Sequence, residues 1–258
     1  MQGMAKRAAR RASDWIDLRW SAITGDLRRA APLASGRLLD VGCGDKPYES
    51  IFAPYVDAYV GVEHEATFAK TSASTRGRPD VYYDGKRLPF ADASFDTVLN
   101  VEVLEHTPEP QQLVNEMARV LKRGGTLIVS APFSFRLHEE PHDYFRYTPH
   151  GMREMLARAG LTVVEQWTQG GLWSVTAHKL NSFLALRVGH LEALGQALGK
   201  VGHEASAASG PRLWTIPFVV PAMATLSAGA RVLDRLLPEQ VEAHGFTTIA
   251  RHAGPTAS

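Results

Sequence analysis

The sequence feature that most constrains the fold is the stretch LLDVGCGDKP at residues 38–47. The run at residues 38–41 is short and mainly apolar, which is typical of a buried strand in a parallel sheet. Gly42 and Gly44 then predict a turn whose backbone can lie against a ligand. The carboxylate of Asp40 would lie at the carboxyl end of that strand, where open α/β sheets bind ligands. The stretch therefore predicts a ligand crevice at one edge of an α/β sheet.

This turn differs from the G-x-G-x-x-G fingerprint of dinucleotide-binding folds, because Pro47 stands where the third glycine belongs. An acid before the turn suits a cationic cofactor with hydroxyl groups better than a phosphorylated one. Cys43 lies between the two glycines, where we expect a small side chain tucked under the turn. It is the only cysteine, which excludes an internal disulfide and fits a reducing compartment.

Two further predicted strands, at residues 58–63 and 81–85, also end in acids. Glu63 follows Gly44 by 19 residues, close to the interval of roughly 20 at which an acid contacts ribose hydroxyls. Asp84, followed by Gly85, ends the other strand. Because parallel strand ends share one edge of a sheet, these acids should converge with Asp40 on one crevice.

The chain continues with alternating strand and helix patterns up to residue 168. Strands are predicted at 95–100, ending in Asn100, at 126–130 and at 161–168, and helices at 113–121 and 149–160. The next clean strand pattern is 246–251. More residues lie between these last two strands than a hairpin needs, which indicates an insertion.

The motifs LLDVGCG, VGVE, LPFADASFD, VEVLEH and RVLKRGGTLIVSAP follow one another in this order within residues 36–168. Together they resemble the class I S-adenosylmethionine-dependent methyltransferases, in particular the methyltransferase type 11 group. The resemblance implies an α/β fold with a doubly wound, seven-stranded, mostly parallel Rossmann-like sheet, a helical insertion before the last strand, and a last strand that is antiparallel. It also implies S-adenosylmethionine as cofactor, with the following roles. Asp40, Gly42, Cys43 and Gly44 would frame it, Glu63 would hold its ribose, Asp84 and Gly85 would lie near its adenine, and Asn100 near its methionine part.

The loop after the fifth strand, residues 133–148, is dense in polar and aromatic side chains and should hang over the crevice. His138 and His142 are candidate general bases, and Arg146 is a candidate clamp for an anionic group on the substrate. Alternatively, these acids and bases pair with one another and only fix a lid. His138, His142 and Asp143 could also be metal ligands, but no second acidic cluster supports them, so we expect no metal.

The acceptor is not identified by the sequence. No Asn/Asp-Pro-Pro-Tyr/Phe run follows the fourth strand, which favours oxygen over nitrogen. We expect O-methylation of a small-molecule, sugar or lipid-linked acceptor. The alternative is a catalytically silent protein that binds S-adenosylmethionine and acts as a scaffold. A formal net charge of +1 and the lack of a basic, aromatic-rich strand argue against nucleic acid.

The expected organisation has four parts: an N-terminal helical cap at 1–35, a methyltransferase core at 36–171, an apolar helical insertion at 172–243, and a last strand with its tail at 244–258. Residues 213–230 carry no charge, and Pro217, Pro221 and Gly229 should break a single helix there. The segment could pack internally, join a homodimer or contact a membrane surface. No apolar signal region follows the basic N-terminus, so we expect a cytoplasmic protein, free or at the inner face of a membrane.

Overall fold

The structure is a computed structural model that describes residues 15–65, 78–188, 212–239 and 241–252. Its strands are β1 (Arg37–Val41), β2 (Ala58–His64), β3 (Val81–Tyr83), β4 (Phe95–Val101), β5 (Leu121–Pro132), β6 (Leu161–Gln169) and β7 (Gly245–His252). Its α-helices are α1 (Leu18–Ala30), α2 (Glu49–Phe52), α3 (Pro110–Val120), α4 (Pro149–Arg158), α5 (Leu172–Phe183) and α6 (Ile216–Leu236). Short 3₁₀ helices cover Ala31–Leu33, Leu104–His106 and Leu213–Thr215, and a π-helical turn covers Leu184–Val188.

The seven strands form one sheet in the order β3-β2-β1-β4-β5-β7-β6. Strands β1 to β5 pair in parallel, whereas β7 pairs antiparallel with β5. The predicted α/β fold, with its seven-stranded mostly parallel sheet and a helical segment before the last strand, is confirmed. The order in which strands are added to the sheet reverses between β1 and β4. Open α/β sheets bind ligands at such a point.

The chain divides into two compact units, one of residues 24–167 and 245–258 and the other of residues 1–23 and 168–244. The predicted boundaries at 35, 171 and 243 stay a prediction. In the first unit, β1 and β4 are buried almost throughout, and their apolar side chains form one core with those of α3 and α4. Fully burying each large side chain of such a core contributes about 1.5–3 kcal/mol. The sheet edge that carries the candidate site is therefore built on a rigid base.

In the second unit, α5 and α6 pack through the small residues Ala177 and Ala230, together with Leu18. Asp234 on α6 accepts hydrogen bonds from the backbone N–H groups of Trp173 and Ser174, both at 3.2 Å. These N–H groups belong to the first turn of α5, which has no intrahelical acceptors, so the carboxylate caps that helix.

Helix α6 corrects the expectation that prolines break the uncharged segment, because it continues from Ile216 to Leu236. Pro217 lies in the first turn, where no intrahelical N–H bond is lost. Pro221 lies inside the helix and removes one backbone donor, without ending it. Among the described residues, Leu213–Leu236 is a helical segment that is long and apolar enough, by length and composition alone, to cross a membrane. Residues 189–211 of the predicted insertion lie outside the described residues.

Candidate functional site at the carboxyl edge of the sheet

The glycine turn after β1 uses its two glycines for different purposes. Gly42 has a φ of 75°, and a Cβ atom there would collide with the side chain of Val103. Gly44 has a φ of 50°, and a Cβ atom there would meet no heavy atom within 4 Å. Gly42 is thus required by the packing of the protein itself, whereas Gly44 leaves open space above the turn. A ligand can approach the backbone at Gly44.

Glu63 closes this turn from the neighbouring strand β2. Its Oε2 accepts a hydrogen bond from the Gly44 N–H at 2.8 Å, and its Oε1 accepts one from the His64 N–H at 2.8 Å. Burial raises the pKa of this carboxyl, and the two backbone donors oppose that shift. A carboxylate has about four acceptor positions, so each oxygen keeps one for a further donor such as a ribose hydroxyl.

Asp40 is a fully buried acid near the end of β1. Burial raises its pKa from 3.8 to about 7, and the negative charge of Glu63 acts in the same direction. The Tyr59 hydroxyl donates a hydrogen bond to Asp40 Oδ2 at 2.5 Å, which stabilises the ionised form. An acid in this state becomes fully ionised once a cation binds beside it.

Asn100 lies in β4, one residue before the end of that strand, and its side chain is completely buried. Its Nδ2 donates to the carbonyl oxygen of Val41 at 3.0 Å, which ties the end of β4 to the end of β1. Its Oδ1 is buried and has no hydrogen-bond partner among the residues that the structure describes. An amide oxygen left in this state has the capacity to accept one bond from a ligand.

Asp84 and Gly85 lie in the turn after β3 and not in the strand, which ends at Tyr83. The Asp84 carboxylate is exposed and accepts hydrogen bonds from the N–H groups of Lys86 and Arg87, which lower its pKa. Gly85 has a φ of 80°, and a Cβ atom there would lie 2.9 Å from the His64 ring. Their predicted contact with adenine stays a prediction.

Cys43 is buried under the glycine turn, in agreement with the small side chain expected there. Burial, followed by the nearby acids Asp40 and Glu63, raises the pKa of its thiol far above the ordinary value. The thiol therefore stays protonated at neutral pH and is a poor nucleophile.

Sequence reasoning missed three residues that organise this edge. Tyr59 binds Asp40, as described above, from the adjacent strand. Lys46 forms an ion pair with Asp80 at 2.5 Å, and Asp80 also accepts from the Gly61 N–H at 2.7 Å. No spacing rule connects these residues, because the contacts depend on how β1, β2 and β3 lie beside one another in the sheet.

The loop at residues 133–148 is held together by an Arg146–Asp143 pair. The guanidinium donates to both carboxylate oxygens, at 2.6 and 2.7 Å. Its remaining donors bind the carbonyl oxygens of Phe135, Arg136 and Phe145, so all five N–H groups are used within the loop. The geometry thus does not support Arg146 as a substrate clamp. Arg146 positions the loop, as in the lid alternative raised by the sequence.

The two predicted histidines of this loop differ in their surroundings. His142 is exposed, and its Nδ1 lies 3.0 Å from the Tyr144 hydroxyl. His138 is half-buried, with Nδ1 at 3.2 Å from Asp143 Oδ2 and Nε2 at 3.1 Å from Nε2 of His106. His106 is not among the site residues that the sequence predicted. The loop and the short helix Leu104–His106 bring these imidazoles together.

The fold and this edge define a class of protein. The open space at Gly44, the remaining acceptor positions on Glu63 and the orphaned Asn100 oxygen fit a cofactor that carries hydroxyl groups and a positive charge. A mostly parallel sheet whose antiparallel β7 pairs with the last parallel strand is the architecture expected of class I S-adenosylmethionine-dependent methyltransferases.

Comparison with known proteins supports this class. Residues 39–129 match the family model of a methyltransferase domain, which confirms the resemblance to methyltransferases for this part of the chain. An uncharacterized methyltransferase of Mycobacterium leprae is 39% identical over 115 residues, which are 42% of this chain and 43% of that protein. The match thus spans less than half of either protein.

Two solved structures show the same fold. The [4+2]-cyclase SpnF superposes with a TM-score of 0.53 at 21% identity, over 90% of this chain and 81% of its own. A candidate methyltransferase of Bacillus halodurans superposes with a TM-score of 0.50 at 17% identity, over 89% of this chain and 99% of its own. At these identities the likeness concerns the fold alone.

Proposed function

We propose that this protein binds S-adenosylmethionine at the glycine turn and transfers its methyl group to an oxygen of a small-molecule, sugar or lipid-linked acceptor. The observation that carries the proposal is the Gly44–Glu63 contact. It fixes a buried carboxylate beside a backbone position whose outer side is open. An acid held in this way accepts bonds from two adjacent hydroxyls, which a ribose presents.

Each residue of the edge has a distinct part in this proposal. Glu63 would hold the ribose, Asp40 would supply negative charge, and the Asn100 oxygen would accept a bond from the amino-acid part of the cofactor. The bound sulfonium supplies an already activated methyl group. The protein therefore mainly has to align the acceptor with that group and exclude water.

His142 is the candidate that takes the proton from an acceptor hydroxyl. Its imidazole is exposed on the loop, whereas both ring nitrogens of His138 have partners within the protein. A positioned base of this kind is typically worth 10²–10⁴-fold in rate. A carboxylate or thiol acceptor would need it less.

Calorimetry with S-adenosylmethionine tests the cofactor part of the proposal. Glu63→Gln should lower the affinity by roughly 10- to 150-fold, which corresponds to a hydrogen bond to a charged group of about 1.5–3 kcal/mol. Glu154→Gln is the matched control, because Glu154 is exposed on α4. Equal affinities of wild type and Glu63→Gln, or no binding by the wild type, would remove the basis of the proposal.

A methyl-transfer screen tests the acceptor. Cofactor labelled in the methyl group is incubated with lipid, glycan and small-metabolite fractions, and the product is tested for resistance to mild alkali to identify the bond formed. Cofactor binding without transfer to any fraction would favour the alternative of a silent scaffold. Folds of this type host unrelated functions, so turnover has to be measured directly.

A contact of α6 with a membrane surface would favour a lipid-linked acceptor. Phe218 and Leu236 are 71% and 70% exposed, so the helix presents apolar surface. Arg231, one of the cations bordering this segment, is already engaged, since it stacks on Trp15 and donates to its carbonyl oxygen. Flotation with anionic and neutral vesicles tests the contact, and a homodimer that stays off both kinds of vesicle would support the packing alternative.

A further inference from the structure

The starting observation is a short contact between two histidines above the carboxyl ends of β4 and β5. Nε2 of His106 and Nε2 of His138 lie 3.1 Å apart. His106 follows β4 on the helix Leu104–His106, and His138 lies in the loop after β5. The backbone of that loop is tied to the helix, since the N–H groups of Tyr144 and Phe145 both bind the Glu105 carbonyl oxygen.

The other nitrogen of each ring fixes which tautomer is present. His106 Nδ1 lies 2.8 Å from the carbonyl oxygen of His142, which can only accept, so this nitrogen carries a hydrogen. His138 Nδ1 lies 3.2 Å from Oδ2 of Asp143. Both oxygens of that carboxylate accept bonds from the Arg146 guanidinium, so it too acts as an acceptor. In the neutral rings, neither Nε2 atom therefore carries a hydrogen, so the contact joins two nitrogens that each bear a lone pair.

Two facing lone pairs at this distance repel unless a positive charge lies between them or beside them. Glu105 adds a third donor group, a completely buried carboxylate with Oε1 at 3.8 Å from His106 Nε2. One ligand atom from each of these three residues lies within 4.8 Å of the others. Two nitrogens bound to one metal at about 2.1 Å are separated by about 3.4 Å at the tetrahedral angle and by about 3.0 Å at 90°, so the observed 3.1 Å is compatible with one shared ion.

The groups behind these ligands also follow the pattern of a metal site. Metal-bound histidines usually donate their other N–H to a carboxylate or to a backbone carbonyl, which fixes the ring and its tautomer. His138 uses Asp143 for this purpose, and His106 uses the carbonyl of His142. Asp143 is itself oriented by Arg146, which gives that arginine a role consistent with its five internal bonds.

We propose that Glu105, His106 and His138 form a binding site for a divalent transition-metal ion. Imidazole nitrogens favour zinc, iron, cobalt or nickel over magnesium and calcium. This set differs from His138, His142 and Asp143, for which the sequence predicted no metal, because Asp143 supports a ligand and is not one itself. Three protein ligands leave a coordination position open, as in catalytic zinc sites. If the proposed methyl transfer is correct, an acceptor hydroxyl would bind there and lose its proton more readily.

The test uses the full-length protein without cofactor or acceptor, so that its outcome does not depend on methyl transfer. The protein is treated with a chelator and dialysed, and Zn²⁺ is then titrated by calorimetry. Co²⁺ is added in a parallel experiment to read ligand geometry from its absorption spectrum. We expect one ion per chain at micromolar or lower concentration, with a Co²⁺ spectrum of low coordination number.

Substitutions locate the site. His138→Gln and His106→Gln should each lower the Zn²⁺ affinity by about 100-fold or more, and Asp143→Asn by about 10- to 100-fold, as for residues that orient a ligand. His150→Gln is the matched control, since His150 is exposed on α4. Circular dichroism establishes that each variant is folded.

No binding of Zn²⁺ or Co²⁺ to the folded wild type, or equal affinity in the ligand variants and the control, would overturn the proposal. The histidine pair would then hold only a shared proton. Because the wild-type titration needs no variant, a variant that fails to fold does not remove the test. Methyl transfer that persists in metal-free protein would leave the metal site standing and would exclude a role for it in the reaction.

Discussion

The hydrogen bond from Tyr59 to Asp40 should control how cofactor affinity depends on pH. Tyr59→Phe removes the donor and keeps the ring, so it acts on the charge of Asp40 with little change in packing. Asp40 has a pKa of about 7, because burial opposes ionisation while Tyr59 favours it. A cation bound beside Asp40 favours the ionised form. Affinity for S-adenosylmethionine should therefore rise with pH up to about 7 in the wild type.

The magnitude follows from the lost bond. A hydrogen bond to a charged group is worth about 1.5–3 kcal/mol, or roughly 1–2 pKa units, which places the pKa of Asp40 near 8.5 in the variant. If the cofactor binds the ionised form, the affinity scales with the ionised fraction. The variant should then bind about 30-fold more weakly at pH 6, about 8-fold at pH 7.5 and less than about 1.5-fold at pH 9.

Calorimetry on both proteins at these three pH values measures the ratio directly. The titration of the ligand itself cancels, because both proteins meet the same ligand at each pH. Tyr55→Phe is the control, since Tyr55 is exposed in the turn after α2. If the affinity of Tyr59→Phe for the cofactor is lower than that of the wild type by the same factor at every pH, the effect is one of packing and the electrostatic reasoning is refuted.

Three further outcomes follow from the same edge of the sheet. Without cofactor, the raised pKa of Asp40 stabilises the fold below pH 4, and roughly 4 kcal/mol of this contribution should be lost as the pH rises to 7. Asp40→Asn should flatten this part of the stability–pH curve in denaturant titrations. Both Gly42→Ala and Gly44→Ala should lower the melting temperature because both positions have a positive φ, but Gly42→Ala should lower it more because it also collides with Val103, whereas Gly44→Ala should in addition weaken cofactor binding, as melting and calorimetry together would show. Cys43 should react with iodoacetamide only after unfolding, and fast labelling of the native protein would contradict its burial.

The sheet was predictable because its evidence is local. Residues 38–41 and 95–100 read as buried strands and correspond to β1 and β4, and the acid at the end of β2 is the one that closes the turn at Gly44. Asp40 and Glu63 are each the last residue but one of a strand, so their order along the chain is enough to place them at its carboxyl end. The last strand was found as well, because its pattern stands apart from the preceding apolar segment.

Contacts between distant residues were not predictable in the same way. The bonds of Arg146 within its own loop could not be predicted, because an arginine in a polar loop has the same local sequence pattern whether it binds a substrate or the carbonyl oxygens of that loop. The predicted break in the uncharged segment was wrong, because Pro221 disfavours a helix locally but the rest of α6 overrides this preference. In both cases, residue type alone does not determine which partner a side chain binds or whether a helix ends.

The order of the strands explains why the acids and the histidines of this edge fall into two groups. From β1, successive strands are added toward one edge of the sheet as far as β3, and β4 and β5 are then added toward the other edge. The carboxyl ends of β1, β2 and β3 therefore lie on one side of the point between β1 and β4, and those of β4 and β5 lie on the other side. Asp40 and Glu63 belong to the first side, and His106 and His138 follow strands of the second. Asn100 joins the two sides through its bond to Val41. On the proposed function, the residues of the first side would hold the cofactor, and the histidines of the second side would be the candidates to hold an acceptor for transfer.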